Sequence, residues 1–256
     1  MNKSGFIAFL VVLVAVSCVK PSNTTFQSAQ VTDYMQLQSG KSITYRLDSL
    51  EFTNFGTVWT TVSYQAMDVI DSQITDNLGR PSWRVNRFLS DTTGTQPWTF
   101  NETYMITATR NDVEVVENNL RFIKLVLPIV NGFNWQGNSY IDTNVPIDTS
   151  GGVNTDPDLS YFANWTYTYD SVGMPFTTLG GIVSNAVTIN QVNQYYGDST
   201  NANLASGLTF SEEVYGFGIG LIYKNLIYWQ YQPPNIQDNT GAYYGYGIRL
   251  NMISHN

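Results

Sequence analysis

The segment Tyr246-Gly247-Ile248-Arg249-Leu250-Asn251-Met252 sets Tyr246, Ile248, Leu250 and Met252 against Gly247, Arg249 and Asn251. An apolar residue at every second position predicts a β-strand with one buried and one wet face. The same period recurs upstream. Ile43, Tyr45 and Leu47 alternate with Thr44 and Arg46; Val58, Val62, Tyr64 and Ala66 share a face; Ile123, Leu125 and Leu127 alternate through Lys124; Trp165, Tyr167 and Tyr169 flank Thr166 and Thr168. These runs are rich in Thr, Val, Ile, Tyr and Trp, the residues that fit a pleated surface. Between them stand turn formers: Asn54-Phe55-Gly56, Asn77-Leu78-Gly79, Arg110-Asn111-Asp112, Asn131-Gly132 and Asp238-Asn239-Thr240-Gly241. Short strands joined by such turns predict an antiparallel meander. No stretch carries a 3.6-residue period, and only 191–208 has room for one short helix, which its Gly and Asn content disfavours. The expected fold is all-β: one curved antiparallel sheet, a half-barrel or open barrel of about ten strands, over residues 39–256. A Gly/Pro/Asp/Asn-rich loop at 142–159 interrupts it.

Composition narrows the function. The 256 residues carry 12 Lys+Arg against 20 Asp+Glu, a net charge of −8, and only 12% of residues are charged, about half the roughly 25% of an ordinary soluble domain. Without a basic cluster there is little to face phosphates, so no nucleic-acid partner is expected. One His and one Cys leave no material for a histidine-based active site or a Cys/His zinc site.

The N-terminal region reads as an export signal. Lys3 precedes the apolar run Gly5–Val16, which is too short for a bilayer core needing about 20 residues. Val14-Ala15-Val16-Ser17-Cys18 resembles a bacterial lipobox, with Ala15 where Leu is commoner. The expectation is a signal peptide at 1–17, lipidation of Cys18, and a polar tether over 18–38. Cleavage there removes 17 of the 256 residues and leaves 239 that begin with Cys18, with no second cysteine to form a disulfide. Acyl chains on Cys18 would provide a durable membrane anchor.

Three fragments, Leu127–Asn138 (LPIVNGFNWQGN), Glu213–Lys224 (EVYGFGIGLIYK) and Gly247–Asn256 (GIRLNMISHN), resemble an uncharacterised family of Bacteroidetes envelope lipoproteins. The second also resembles the curved half-barrels of lipoprotein carriers, where glycines let a strand bend. The resemblance covers roughly residues 120–256. It implies a fold and an envelope address, and it brings no catalytic residues. The expected outer-membrane lipoprotein faces the periplasm, since no acidic cluster follows Cys18 in Val19-Lys20-Pro21-Ser22. The resemblance also draws attention to Asp48-Ser49-Leu50, Asp91-Thr92-Thr93, Asp170-Ser171-Val172 and Asp198-Ser199-Thr200, which resemble the O-glycosylation triplet of that phylum's envelope.

Candidate chemistry is sparse. His255 lies one residue from the C-terminus and is expected to be solvated. Glu212 and Glu213 are consecutive, so a strand sends them to opposite faces, where they cannot flank one substrate. Asp170 and Glu102 have no supporting motif. Asp148, Asn154, Asp156 and Asp158 offer oxygen ligands, but their spacing fails a twelve-residue calcium loop. Gly216-Phe217-Gly218-Ile219-Gly220 leads into a strand and so lacks the helix N-terminus that cradles phosphate. No cofactor, metal or catalytic residue is expected. Aromatic residues remain. Trp165, Tyr167, Tyr169, Tyr228, Trp229 and Tyr231 are the candidate ligand-binding set, against the alternative that they are core and sheet surface. The leading expectation is a non-enzymatic envelope lipoprotein whose concave face binds a hydrophobic or amphipathic component. The alternatives are an assembly lipoprotein that binds another envelope protein and a glycan-binding module.

Overall fold

The computed structural model describes residues 29–144, 159–234 and 239–256. Twelve strands follow one another: β1 (Ser42–Thr53), β2 (Val58–Thr75), β3 (Pro81–Ser90), β4 (Thr99–Ala108), β5 (Asp112–Glu117), β6 (Leu120–Val126), β7 (Asn134–Trp135), β8 (Tyr167–Thr178), β9 (Gly181–Gly197), β10 (Ser206–Gly216), β11 (Gly220–Gln232) and β12 (Ala242–His255). They form one sheet in the order β6-β5-β4-β3-β2-β1-β12-β11-β10-β9-β8-β7, every neighbour antiparallel. The expected open barrel is therefore present, with twelve strands in place of about ten. Residues 191–208, where a helix had room, are the end of β9, a turn and the start of β10.

The chain's two ends meet in the middle of the sheet. β1 pairs with β12 from Ile43↔His255 to Glu51↔Tyr246, and the Ser42 amide donates to Asn256 Oδ1 at 2.9 Å. His255 is exposed, as expected, but it sits in a paired strand and is not frayed. The free edges are β6 and the short β7, and side-chain and backbone hydrogen bonds join them. The Val126 amide donates to Tyr169 Oη (3.0 Å) while the same hydroxyl donates to the Val126 carbonyl (2.8 Å). Trp135 Nε1 donates to the Ile123 carbonyl at 2.8 Å, and the Ile123 amide donates to the Gly137 carbonyl at 2.8 Å. Tyr169 thus stands in for a missing neighbour along an edge that would otherwise expose unpaired backbone.

Turn chemistry explains the hairpins. Asn54, Phe55 and Gly56 all adopt positive φ between β1 and β2. A Cβ on Gly56 would lie 2.4 Å from the Tyr243 carbonyl oxygen, so only glycine lets this turn rest on β12. Asn118 and Asn119, at φ 51° and 61°, make the two-residue β5–β6 hairpin that favours such residues.

One end of the barrel is plugged. Val31–Tyr34 form a 3-10 turn whose Val31 and Tyr34 side chains are buried, with Met35 beside them. The Gly218 amide donates to the Asp33 carbonyl, and the Tyr34 ring packs edge-on against Phe217 at 5.6 Å. The 18–38 stretch expected to be a tether is therefore docked over 29–38, because its apolar residues complete the core; 18–28 lie outside the described residues. The Gly216–Gly220 segment, expected to bend a strand, is instead the β10–β11 turn on which this plug rests. Most of the 142–159 loop also lies outside the described residues. Among those described, no helix is long and apolar enough to cross a membrane.

Candidate functional site

The barrel encloses a layer of buried charge. Glu213 on β10, Lys224 on β11 and Leu250 on β12 are register partners, so all three point into the lumen. Lys124 reaches them from β6: its Nζ lies 2.7 Å from Glu213 Oε1, and both side chains are at most 5% exposed. Glu213 Oε2 accepts from the Tyr215 hydroxyl at 2.8 Å, which leaves neither carboxylate oxygen idle. Lys224 Nζ sits 3.2 Å from Glu117 Oε1. On the neighbouring wall, Arg87 donates through Nε and Nη2 to both oxygens of Asp68 (2.6 and 2.7 Å) and through Nη1 to Glu102 (2.9 Å). The Tyr104 hydroxyl also donates to Asp68 at 3.0 Å.

The neighbouring cations keep Glu117 and Glu213 ionised. Burial pushes the Glu117 carboxyl up, but Lys224, Lys124 and Arg87 outweigh it and bring it down to about 2. Glu213 is likewise pushed up by burial and held below the usual carboxylate range by Lys124 and Lys224. Tyr104 and Tyr215 are raised by burial, then by Asp68 and Glu213 respectively, so both are neutral donors. Three cations (Arg87, Lys124, Lys224) face four carboxylates (Asp68, Glu102, Glu117, Glu213). Such a layer costs desolvation, which offsets much of the attraction between its charges.

The layer divides the lumen unequally. On the plugged side, beneath Met35 and Leu37, a space of about 70 Å³ remains. On the other side lies a cavity of about 490 Å³, within the 300–1,000 Å³ of small-molecule sites. Its floor is Arg87, Glu117, Lys124, Glu213 and Lys224; its walls include Phe122, Tyr161, Trp165, Tyr246 and Ile248; exposed Asn101 and Asn118 stand at its rim. Gln191 also lines it. This residue is 1% exposed, its Oε1 accepts from Ser211 Oγ at 2.6 Å, and its Nε2 has no partner.

The six candidate aromatic residues do not form one site. Tyr167 and Tyr169 are wholly buried and Trp165 nearly so; Trp165 and Tyr167 contribute to the cavity wall while Tyr169 closes the seam. Tyr228 shares the lumen face, its ring 5.1 Å from Tyr161 and 6.2 Å from Tyr246. Trp229 and Tyr231 point the other way, as consecutive alternation requires. On that outer face they join a row of rings crossing four strands: Trp59 to Phe52 (4.7 Å), Phe52 to Tyr243 (5.5 Å), and Tyr243 to Trp229 (5.6 Å) and Tyr231 (4.7 Å).

Glu213 is buried in the lumen while Glu212 faces the opposite way, half-buried, as expected for consecutive strand residues. Asp148, Asn154, Asp156 and Asp158 lie outside the described residues; among the described ones no group of three His, Cys, Asp or Glu side chains is placed to hold a metal. Of the Asp-Ser/Thr triplets, 91–93 and 198–200 occupy exposed turns, whereas 48–50 and 170–172 lie within β1 and β8. Sequence reading named Glu102 and Glu213 without their partners, and missed Asp68, Arg87, Glu117, Lys124, Lys224 and Gln191. Their partners lie far apart in the chain (89 positions for Lys124 and Glu213), and no local spacing announces them.

No protein-family model matches the chain, and no curated protein matches it. Among solved structures the chain is similar to an exported protein with a YmcC-like fold from Bacteroides fragilis. That likeness has a TM-score of 0.33 at 11% identity and covers 86% of this chain and 96% of the other.

Proposed function

We propose that this chain is a non-enzymatic lipoprotein of the cell envelope, anchored through Cys18 to the outer membrane and facing the periplasm, that holds an amphipathic envelope component in its barrel. The observation that carries the binding role is the cavity of about 490 Å³ above the charged layer, left unfilled in a barrel whose other end is packed by the chain's own Val31 and Tyr34. A lumen serving stability alone gains by filling such a space, since unfilled volume forfeits dispersion contacts. Charge on the floor and aromatic rings on the walls favour an amphipathic occupant over a purely hydrophobic one. The address rests on the Val14–Cys18 lipobox-like segment. Two measurements test the reading. Melting of the form beginning at Val19 should shift upward with increasing envelope extract, because a ligand bound only by the folded state stabilises it by mass action. Metabolic labelling with palmitate should mark the full chain and not Cys18→Ser. An unchanged melting curve at every extract concentration would refute the binding role.

The row of rings around Tyr243 favours a second reading, an assembly lipoprotein that docks another envelope protein through its outer face. Trp59 is 47% exposed and Tyr195, 6.4 Å from Trp229, is 51% exposed. A Trp59→Ala, Tyr195→Ala pair that abolishes co-purification of a defined envelope partner, with extract-induced stabilisation intact, would favour that role. Retention of the wild type on a polysaccharide gel, lost in the same variant, would instead indicate a glycan-binding module.

A further inference from the structure

We infer that the part of the ligand held in the lumen is a neutral, hydroxyl-bearing ring of the sugar type, an inference that rests on the binding role proposed above. The cavity holds unused hydrogen-bonding capacity. Gln191 is buried to 1% exposure and lines the cavity, and its amide nitrogen lacks a partner. A buried amide left so costs free energy until something answers it. Ser211 Oγ can serve either end of that amide, so the group facing the cavity is a donor or, with the amide turned over, an acceptor. A hydroxyl group answers both; a carboxylate or an ether answers only a donor.

The carboxylates make the complementary offer. Glu102 engages Arg87 through Oε1, and Glu117 engages Lys224 through Oε1. Both bonds use one oxygen of the carboxylate, and both residues line the cavity. The cations, by contrast, are already committed to these and the other two carboxylates, three against four. An anionic head such as a fatty-acid carboxylate or a phosphate would bring more negative charge to a layer that already has an excess of it. It would do so where the low dielectric strengthens the repulsion. A neutral ring that donates to Glu102 and Glu117 and meets Gln191 leaves the layer as it is. The rings of Tyr161, Trp165 and Tyr246 supply flat apolar faces for the C–H side of such a ring. At about 30 Å³ per water the cavity has the volume of roughly sixteen waters, enough for a sugar unit with part of whatever it is attached to.

The same head group could come from a free saccharide or from a glycolipid, and the test separates them. Octyl β-glucoside below its micelle concentration, octanoate, and free glucose and maltose are titrated into the form beginning at Val19. Affinity is read by calorimetry. The Gln191 side-chain NH₂ resonances are read by ¹⁵N NMR and assigned by their loss in Gln191→Met. Octyl glucoside should bind and move those resonances, with octanoate at least about tenfold weaker, and Gln191→Met should weaken octyl glucoside by about tenfold. Free sugars binding as tightly as the glucoside would assign the source to a saccharide; a requirement for the alkyl chain would assign it to a glycolipid head. Should Gln191→Met not fold, Asn101→Trp at the exposed rim leaves the core untouched and must block the glucoside. Wild-type affinity in that variant overturns the inference. Octanoate binding as tightly as the glucoside, with the Gln191 resonances unmoved, overturns the sugar assignment and leaves the lumen as a lipid site. No binding of any of the ligands, together with no stabilisation by envelope extract, removes the lumen site itself.

Discussion

The two sides of the charged layer are built from the same strands yet finished differently. On one side the chain folds its own N-terminal residues inward, and Val31, Tyr34 and Met35 leave only about 70 Å³. On the other, equally large aromatic residues stand around about 490 Å³, and a buried amide lacks a partner. Side-chain size does not explain the contrast, because both sides draw on Tyr, Leu and Ile, and the wide side adds the bulkier Phe122, Phe162 and Trp165. What differs is whether the chain supplies its own occupant. The plugged side behaves as core, where packing density decides stability. Each side has an unpartnered buried polar atom, but Gln36 Oε1 on the plugged side borders only about 70 Å³, whereas Gln191 Nε2 on the wide side stands beside a cavity large enough for a ligand.

Substitutions can break or sharpen that contrast, and the largest effect belongs to the plug. Tyr34→Ala removes a 2%-exposed ring from the sealed side and should cost about 3–5 kcal/mol in urea unfolding. A cost below about 1 kcal/mol would mean that the plug is not core. Acid comes next, acting on the layer between the two sides. Glu117 falls from an ordinary 4.5 to about 2 in the folded state, and Glu213 is lowered as well. A depressed carboxyl contributes stability that is complete above its unfolded pKa and lost as pH falls toward its folded value. Stability should therefore decline between about pH 4.5 and 2, with Glu117 alone contributing about 3 kcal/mol at most. Glu117→Gln should flatten that slope, and a profile identical to wild type would remove Glu117 from the account.

The seam gives a smaller effect. Tyr169→Phe takes away the one hydroxyl that answers both the amide and the carbonyl of Val126, and should cost about 1–3 kcal/mol. Hydrogen exchange at the Val126 amide should quicken, while that at β1–β12 should not. Smallest is Gln191→Met on the wide side. Replacing Gln191 removes a nitrogen that lacks a partner but also the acceptor of the buried Ser211 hydroxyl, so the two effects offset and stability should change by about 1 kcal/mol or less. A loss as large as that of Tyr34→Ala would show that Gln191 is a structural core residue and not a site residue.

Legibility from sequence follows the same division. Alternation through Ile43, Tyr45 and Leu47 and through Tyr246 to Met252 identified β1 and β12 correctly, because a half-buried strand writes its burial into every second residue. It failed at Lys124. There alternation put Ile123, Leu125 and Leu127 inside, but the β5–β6 register slips beside Val113, so Phe122, Lys124 and Leu125 are all buried. A bulge of one residue is invisible to periodicity and reverses the faces beyond it. The plug was missed because Val31, Tyr34 and Met35 are too few and too irregularly spaced to show a period. Of the candidate aromatic residues, Trp165, Tyr167 and Tyr228 do reach the lumen side, whereas the polar half of the cavity rests on pairings between distant strands. Residue type could suggest the rings; only the closed sheet brings Lys124 to Glu213.

The most direct test of the central claim, that the wide side of the lumen is a binding cavity, is native mass spectrometry of the form beginning at Val19, made in its own periplasm and released gently. The account predicts a discrete adduct that organic or aqueous extraction removes and that is reduced in Gln191→Met and absent in Asn101→Trp. A clean mass for the bare chain, unchanged after incubation with envelope extract, would contradict it.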